Sequence, residues 1–398
     1  MFLCVLFQSV IFNSCHKEKR WLTVLEWGWY FSSQRSSAMR IIDADGYVQE
    51  RNVPWQDLIA EPFKSRAPRS VKDNRGVDFM MMEGRLCPKP VGKGCSFVGA
   101  PRSRSPHATT GMVDPTQRLK DMDLEGIDTA VLFGTSPFLS LPFVEDKDLA
   151  CAIAQVYNNW LASYCKTDPR RLKGVALVPI QDPPAAVNEL RRCVKELGFV
   201  AVATPVHSSS GKNLDHPDLQ PFFAEAERVN VPICVHVGAG DGTAAGAERF
   251  DHPFYTHAMT HPFEQMIAVL CFVVGGILEK FPRLKVAFME AGAGWVPYWM
   301  ERLDEHYEYL KPTVPWLTKT PGEYMRDGQL YYSFEPDEST IGFVANFVGE
   351  DLLVFASDYN HSDSKFPHTV KSITSREDIA PALMAKIMGE NAARLYNI

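Results

Sequence analysis

The chain has 398 residues, of which 45% are apolar, and a formal net charge of -7. An apolar fraction of this size is enough for a large core and excludes disorder over most of the length. No basic stripe or basic tail stands out from the mild negative charge, so nucleic acid is not an expected partner.

Residues 1–38 do not follow the pattern of the rest of the chain. An apolar run over 2–12 has the length of a signal-peptide core, but no basic residue precedes it and no clean small-residue cleavage site follows it. The run is also too short to span a bilayer. We interpret residues 1–38 as an N-terminal extension outside the fold. A poorly formed secretion signal and a structured arm are the alternatives.

From Arg40 onward, short β-branched runs alternate with helical segments, which is the pattern of βα units and a parallel sheet. Most of the runs are continuously apolar, as expected for strands that are buried on both faces. Eight runs are predicted as strands: 40–44, 129–135, 174–180, 200–206, 233–238, 285–290, 330–334 and 352–357.

Eight parallel strands predict an α/β fold of the (β/α)8 TIM-barrel class. A doubly wound open sheet is the alternative, but the first strand is not followed by a Gly-rich phosphate loop. The absence of a GxGxxG loop also argues against a nicotinamide oxidoreductase.

Two long connections interrupt the regular alternation. The first covers residues 47–127 and is a long loop insertion after the first predicted strand; the second covers 240–260, after the fifth. Loops of such length are usually functional or mobile. Because the first one leaves the carboxyl end of a barrel strand, we expect it, and residues 79–82 within it, to cover the active site.

Polar residues close several of the predicted strands, at the barrel end where chemistry takes place. Such carboxylates, brought close together with one imidazole, need shared protons or a cation, and they suit a divalent metal such as Zn or Mn. An isolated strand-end Asp is more often a helix cap. The residues in question are Asp43, Asp45 and Tyr47 after the first strand, His236 after the fifth, Glu290 after the sixth, Glu335 after the seventh and Asp358 after the eighth.

The chain from residue 39 to 398 resembles the amidohydrolase superfamily, in its amidohydrolase-2 branch. That branch contains aminocarboxymuconate semialdehyde decarboxylase, γ-resorcylate decarboxylase and related hydrolases. The resemblance is carried by IIDADGYVQE, DPTQRLKDMDLEGIDTAVLF, THPFEQM, FPRLKVAFMEAGAGWVPYWMERLDE, SDYNHSD and GENAARLY.

The resemblance implies that Asp45, His236 and Asp358 are metal ligands, and the convergence of strand ends adds Glu290 as a fourth ligand or a general base. Two positions depart from the family pattern: Tyr47 stands where the family usually has His, and Glu290 where many decarboxylases have His. Tyrosine binds divalent metals poorly unless it is ionised, which makes iron a further possibility beside Zn and Mn.

Further residues are candidates for contact with substrate. His361 follows Asp358 and is expected to act in catalysis by touching substrate or orienting that carboxylate. Tyr47, His207 and Trp295 are predicted to bind substrate. His257 and His261 lie four residues apart on one helical face, and we favour a structural role for this pair.

The predicted function is a metal-dependent hydrolase of a small carboxylated or cyclic metabolite, in which Asp358 or Glu290 accepts a proton from metal-bound water. A non-oxidative decarboxylase of the same family and a catalytically degenerate barrel used for binding or assembly are the alternatives. Nine scattered cysteines without a CxxC pair indicate reduced thiols in a cytoplasmic protein. We expect a small-molecule substrate, no membrane partner and a homodimer.

Overall fold

The computed structural model describes residues 39–100, 107–236 and 244–398. Within it, Arg40–Ile398 forms one compact unit. The predictions for residues 1–38 therefore lie outside the described part of the chain, as does the beginning of the insertion predicted over 240–260.

The described strands follow one another in chain order. They are β1 Ile42–Tyr47, β2 Arg69–Lys72, β3 Asp78–Met82, β4 Arg85–Cys87, β5 Thr129–Phe133, β6 Leu172–Leu177, β7 Ala201–Thr204, β8 Ile233–Val235, β9 Val286–Phe288, β10 Leu330–Phe334 and β11 Leu353–Phe355.

Eight of these strands form one sheet in the order β1-β5-β6-β7-β8-β9-β10-β11, and each neighbouring pair is parallel. The order never reverses, which excludes the doubly wound alternative. The ends of β1 and β11 meet because Tyr47 N donates to Tyr359 O at 2.8 Å. The predicted (β/α)8 barrel is confirmed.

Helices fill the connections between the strands. The α-helices are Trp55–Leu58, Pro115–Glu125, Ser136–Ser140, Lys147–Cys165, Pro183–Glu196, Gln220–Val229, Pro253–Val269, Ile277–Lys280, Val296–Leu310, Pro321–Arg326, Ile341–Val348, Thr369–Thr374, Pro381–Ala385 and Asn391–Tyr396. Short 3-10 helices are Glu50–Asn52, Lys64–Arg66, Leu141–Phe143, Pro217–Leu219, Ala247–Arg249 and Lys311–Thr313, and short π-helices are Leu270–Val274 and Lys386–Glu390.

The long helices begin where the local sequence favours a helix start. Asp114 accepts from Thr116 N and is followed by Pro115, and Asp146 accepts from Asp148 N and Leu149 N. A carboxylate at the N-cap satisfies backbone N–H groups that have no partner inside the helix, and proline fits the first helical turn. Among the described residues, no helix combines the length and the apolar character needed to cross a bilayer.

The segment predicted as a long loop over 47–127 contains structure of its own. β2, β3 and β4 form a three-stranded antiparallel sheet, and Pro115–Glu125 is a helix. The small sheet is attached to the connection after β5, because Glu145 N donates to Glu83 at 2.7 Å and Arg66 pairs with both Glu83 and Asp146. The described part of this segment, called the capping segment below, is therefore folded and attached to a loop of the barrel.

Candidate active site

The site lies at the carboxyl ends of β1, β8, β9 and β11. Asp45 and Tyr47 belong to β1, whereas the prediction ended the first strand at residue 44. Glu290 and Asp358 come shortly after β9 and β11, and their φ angles of 56° and 52° are left-handed. This conformation costs on the order of 1 kcal/mol for a residue with a Cβ, and the bond from Glu290 N to Ser333 Oγ at 3.0 Å helps to hold it.

A hydrogen-bonded group forms around the hydroxyl of Tyr47. Its oxygen lies 2.5 Å from His236 Nε2 and 3.3 Å from Asp45 Oδ2. His236 Nε2 is also 3.3 Å from Glu290 Oε2 and 3.7 Å from Asp45 Oδ2. Asp45, Tyr47 and His236 are buried. The phenol oxygen therefore lies between two residues that the family resemblance assigns to a metal.

A second group contains the carboxylates of Glu290 and Asp358 and the imidazole of His361. His361 Nδ1 is 2.7 Å from Asp358 Oδ1 and 3.9 Å from Glu290 Oε1. Each of the three residues offers a donor atom, and these atoms all lie within 4.8 Å of one another. The His361 ring is stacked on the Tyr47 ring with centroids 4.0 Å apart, so the two groups adjoin.

Burial and mutual repulsion dominate the electrostatics of the site. Burial raises the pKa of Asp45, Glu290 and Asp358 well above the ordinary carboxylate range. The negative charge of Asp358 raises the pKa of Asp45 and of Glu290 further. Three carboxyl groups this close cannot all be ionised without a compensating positive charge.

Asp43 and Arg118 support the site from behind. Asp43 accepts hydrogen bonds from Ser357 N at 2.9 Å and from Ser357 Oγ at 2.6 Å, which fixes the residue before Asp358. Arg118 is 1% exposed, donates to Tyr47 O at 2.9 Å and lies 3.6 Å from Asp43. The pair thus ties the ends of β1 and β11 together. Nothing in the sequence marks Arg118 as buried, and sequence reasoning missed it.

A cavity of about 530 Å³ opens beside Glu290 and Asp358. Its wall includes Glu290, Glu335, Asp358, His257, His261 and Lys365. Burial lowers the pKa of His257, and it lowers that of His261 to about 4, so both imidazoles are neutral near pH 7. The two histidines that were interpreted as structural therefore line a candidate substrate cavity.

The remaining predicted substrate residues lie apart from this cavity. His207 lines a smaller cavity with His236, and its Nδ1 is 3.3 Å from Glu264. Trp295 donates its indole N–H to Gly292 O at 2.9 Å and packs against Phe288. Among the described residues, the wall of the larger cavity includes none of Tyr47, His207 and Trp295.

The capping segment reaches the larger cavity through Phe97. The Phe97 ring packs edge-on against His257 with centroids 4.5 Å apart, and Gly94 N donates to Phe250 O at 2.8 Å. Residues 79–82, which were predicted to cover the pocket, form most of β3 and are not among the described residues of that wall.

The family model described as Amidohydrolase (Amidohydro_2) matches residues 104–398. The chain belongs to the amidohydrolase family. This confirms the resemblance and the prediction of an enzyme with the hydrolase or decarboxylase chemistry of that family.

Individual relatives of this amidohydrolase are decarboxylases. A γ-resorcylate decarboxylase of Rhizobium sp. (strain MTP-10005) is 30% identical over 291 residues, which are 71% of this chain and 86% of that protein. A 2-amino-3-carboxymuconate-6-semialdehyde decarboxylase of Dictyostelium discoideum is 28% identical over 249 residues, 62% of this chain and 66% of that protein. These relatives give no support to the expectation of a hydrolase.

A solved structure shares the barrel. The dihydroxybenzoic acid decarboxylase of Polaromonas sp. JS666, crystallised with bound manganese and the inhibitor 2-nitroresorcinol, matches with a TM-score of 0.64 and 21% identity. The match covers 90% of this chain and 97% of that one. At this identity the likeness concerns the fold.

Proposed function

We propose that this amidohydrolase catalyses the non-oxidative decarboxylation of a small aromatic carboxylic acid and uses a divalent cation. The observation that carries the proposal is the group of donor atoms from Glu290, Asp358 and His361, all within 4.8 Å of one another. Glu290 and Asp358 of this group lie on the wall of a cavity large enough for one aromatic ring. The two decarboxylase relatives support the choice of reaction.

The residues of the site fit a cation. Asp45 Oδ1 is buried and has no hydrogen-bond partner within the part of the chain that the structure describes. The donors themselves are the carboxylates of Glu290 and Asp358 and a nitrogen of His361, a set that Mn²⁺ and Zn²⁺ both accept. When bound, the cation supplies positive charge that holds the substrate carboxylate and a neighbouring ring oxygen.

Decarboxylation requires a proton at the ring carbon. The bond between the ring carbon and the carboxyl carbon breaks, its electron pair stays on the ring carbon, a proton forms the new C–H bond, and CO2 leaves. We assign the proton to Glu335, a carboxyl group on the cavity wall outside the cation group. Although the side chain remains open to the solvent of the cavity, the surrounding protein and the charge of Glu338 raise its pKa to about 7.

The neutral side chains of His257 and His261 on the cavity wall are assigned to the aromatic ring of the substrate and not to its carboxylate. His257 and His261 face the ring without adding charge, since burial lowers the pKa of both. Phe97 packs on His257 and so joins the cap to the substrate cavity. An aromatic acid with its carboxylate toward Glu290 and Asp358 therefore meets polar groups at one end and uncharged rings at the other.

The test is direct. The Mn²⁺-loaded protein is incubated with γ-resorcylate and related ortho-hydroxybenzoates, and CO2 and the phenol product are measured. Release of equal amounts of both is expected, with loss of turnover in Asp358→Asn and normal turnover in the control Glu308→Gln, which alters an exposed acid of the helix Val296–Leu310 that is not among the residues lining the cavity. Hydrolysis of an ester or lactone without CO2 release from any acid in the panel would refute the proposal.

A further inference from the structure

The hydroxyl of Tyr47 occupies the space where a cation shared by Asp45 and His236 would have to lie. Asp45 Oδ2 and His236 Nε2 are 3.7 Å apart, a separation that a cation about 2.1 Å from each could bridge. The phenol oxygen already bridges them, at 3.3 Å from the carboxylate and 2.5 Å from the imidazole. A cation at that point would have to displace this hydroxyl or take its oxygen as a ligand.

Packing against other rings holds both the His236 ring and the Tyr47 ring in place. The His236 ring packs against Phe133 and Phe138, with centroids 5.4 and 5.0 Å away. The Tyr47 ring is stacked on His361 at 4.0 Å and is 1% exposed. Because rings packed in this way lose contacts when they rotate, the hydrogen-bonded arrangement is the resting state of Asp45, Tyr47 and His236.

The neighbouring group of Glu290, Asp358 and His361 is more exposed to solvent than Asp45, Tyr47 and His236. The side chains of Glu290, Asp358 and His361 are 20%, 14% and 22% exposed, so solvent reaches them from the cavity. Glu290 and Asp358 both line that cavity. A cation can therefore enter this group without displacing a packed ring.

A second observation points to a ligand here. Tyr47 bonds to Oδ2 of Asp45, while Oδ1 of the same carboxylate is buried without a hydrogen-bond partner among the described residues. His236 Nε2 lies 3.7 Å from Asp45 Oδ2 and 3.3 Å from Glu290 Oε2, so this carboxylate is next to the donor group. If Glu290, Asp358 and His361 held a cation, a water bound to it would give this oxygen a partner.

We propose that the cation is held by Glu290, Asp358 and His361, and that Tyr47 keeps Asp45 and His236 out of its coordination. The inference deepens the proposed function and rests on its requirement for a divalent cation. It assigns His361 a ligand role and gives Tyr47 a bridging role, whereas the family resemblance implies that Asp45 and His236 are ligands.

The inference is tested by Mn²⁺ binding to the full chain, followed through the EPR signal of free Mn²⁺. Wild type is expected to bind one equivalent, and loss of a ligand in His361→Asn or Glu290→Gln should weaken binding by at least about tenfold. Tyr47→Phe should bind Mn²⁺ no more weakly than wild type, because it removes no ligand and takes away the hydroxyl that lies between Asp45 and His236. His236→Gln also removes no ligand and should still bind one equivalent. Circular dichroism checks that each variant is folded.

Ferric iron gives an independent readout. A phenolate bound to Fe³⁺ produces a visible charge-transfer band, and we expect no such band in the Fe³⁺-loaded protein. Tenfold weaker Mn²⁺ binding in Tyr47→Phe, unchanged binding in His361→Asn, a phenolate band, or no Mn²⁺ binding by wild type would each overturn the inference. Should the binding pattern hold while no acid releases CO2, the proposed reaction fails and the ligand assignment stands.

Discussion

Replacing Arg118, which pairs with Asp43 behind the active site, tests how much this buried ion pair stabilises the contact between β1 and β11. Arg118→Met removes a guanidinium that is 1% exposed while keeping much of its apolar stem. Three contacts are lost: the bond to Tyr47 O at 2.9 Å, the approach to Asp43 at 3.6 Å, and the stacking on Tyr359 at 3.9 Å. The change therefore acts on β1 and on the chain after β11, two of the four places that carry the site.

The expected loss in the free energy of unfolding depends on Asp43, which stays buried after Arg118 is replaced. Asp43 is fully buried, and burial raises its pKa even with Arg118 present, whose charge lowers it. Removing one partner of a buried pair typically costs about 3–5 kcal/mol, because the other charge is left uncompensated. Asp43 keeps its bonds from Ser357 and can take up a proton, so we expect the lower end, about 3 kcal/mol.

Urea unfolding of wild type, Arg118→Met, Asp43→Asn and the double variant measures this cost and the coupling between the two side chains. If the buried charge is the cause, Asp43→Asn costs less in the Arg118→Met background than in wild type. Arg118→Lys keeps the charge without the forked geometry of the guanidinium, so its free energy of unfolding should lie between those of wild type and Arg118→Met. A loss below about 1 kcal/mol in Arg118→Met with an unchanged urea slope would refute the reasoning.

Four further outcomes are expected. A chain that begins at Met39 should be soluble and melt within a few degrees of the full chain, since all barrel strands lie in the compact unit Arg40–Ile398; a large loss of melting temperature would show that residues 1–38 are integral. The kcat/KM of wild type should fall as pH rises through about 7, where Glu335 loses its proton, and Glu335→Gln should be slow at every pH; a profile that keeps this limb in Glu335→Gln would exclude Glu335 as the acid. Gly46→Ala should destabilise the protein by about 1–3 kcal/mol, because its Cβ would lie 2.5 Å from Asp43 Oδ2, whereas Gly342→Ala in an uncrowded helix should cost nothing by the same urea assay. Limited proteolysis within 47–127 should slow when γ-resorcylate is bound, since Phe97 packs on the cavity wall; equal cutting with and without ligand would argue against a cover.

The eight barrel strands were predictable because each is a short apolar run that must be buried on both faces. Every predicted run overlaps a strand of the barrel. The prediction was weakest in the capping segment, where the strands of the small sheet are short and partly exposed. A hairpin signal was present there: Glu83 and Gly84 join β3 to β4, and their φ angles of 47° and 77° suit a two-residue turn.

Residue types at strand ends were enough to predict which side chains gather, because the carboxyl ends of parallel strands in a barrel face one another. They were not enough to predict which of these side chains contact one another. His361 was predicted to touch substrate or orient Asp358, and its Nδ1 lies 2.7 Å from Asp358 Oδ1. Its stacking on Tyr47 was not predicted, because the left-handed turn at Asp358 has no sequence signal. Arg118 is charged and lies in a helix whose sequence gives no sign of a fully buried position.

Partner choice inside such a group depends on differences of about 1 Å, which residue type and spacing do not specify. His236 Nε2 is 2.5 Å from the Tyr47 oxygen and 3.7 Å from the nearest Asp45 oxygen, and the bridging role proposed for Tyr47 rests on that difference. A histidine at position 47 would present a ring nitrogen to the same space and leave room for a cation. Tyrosine places a hydroxyl there instead, and under the ligand assignment proposed above this one change of residue type moves the cation to Glu290, Asp358 and His361, beside the larger cavity.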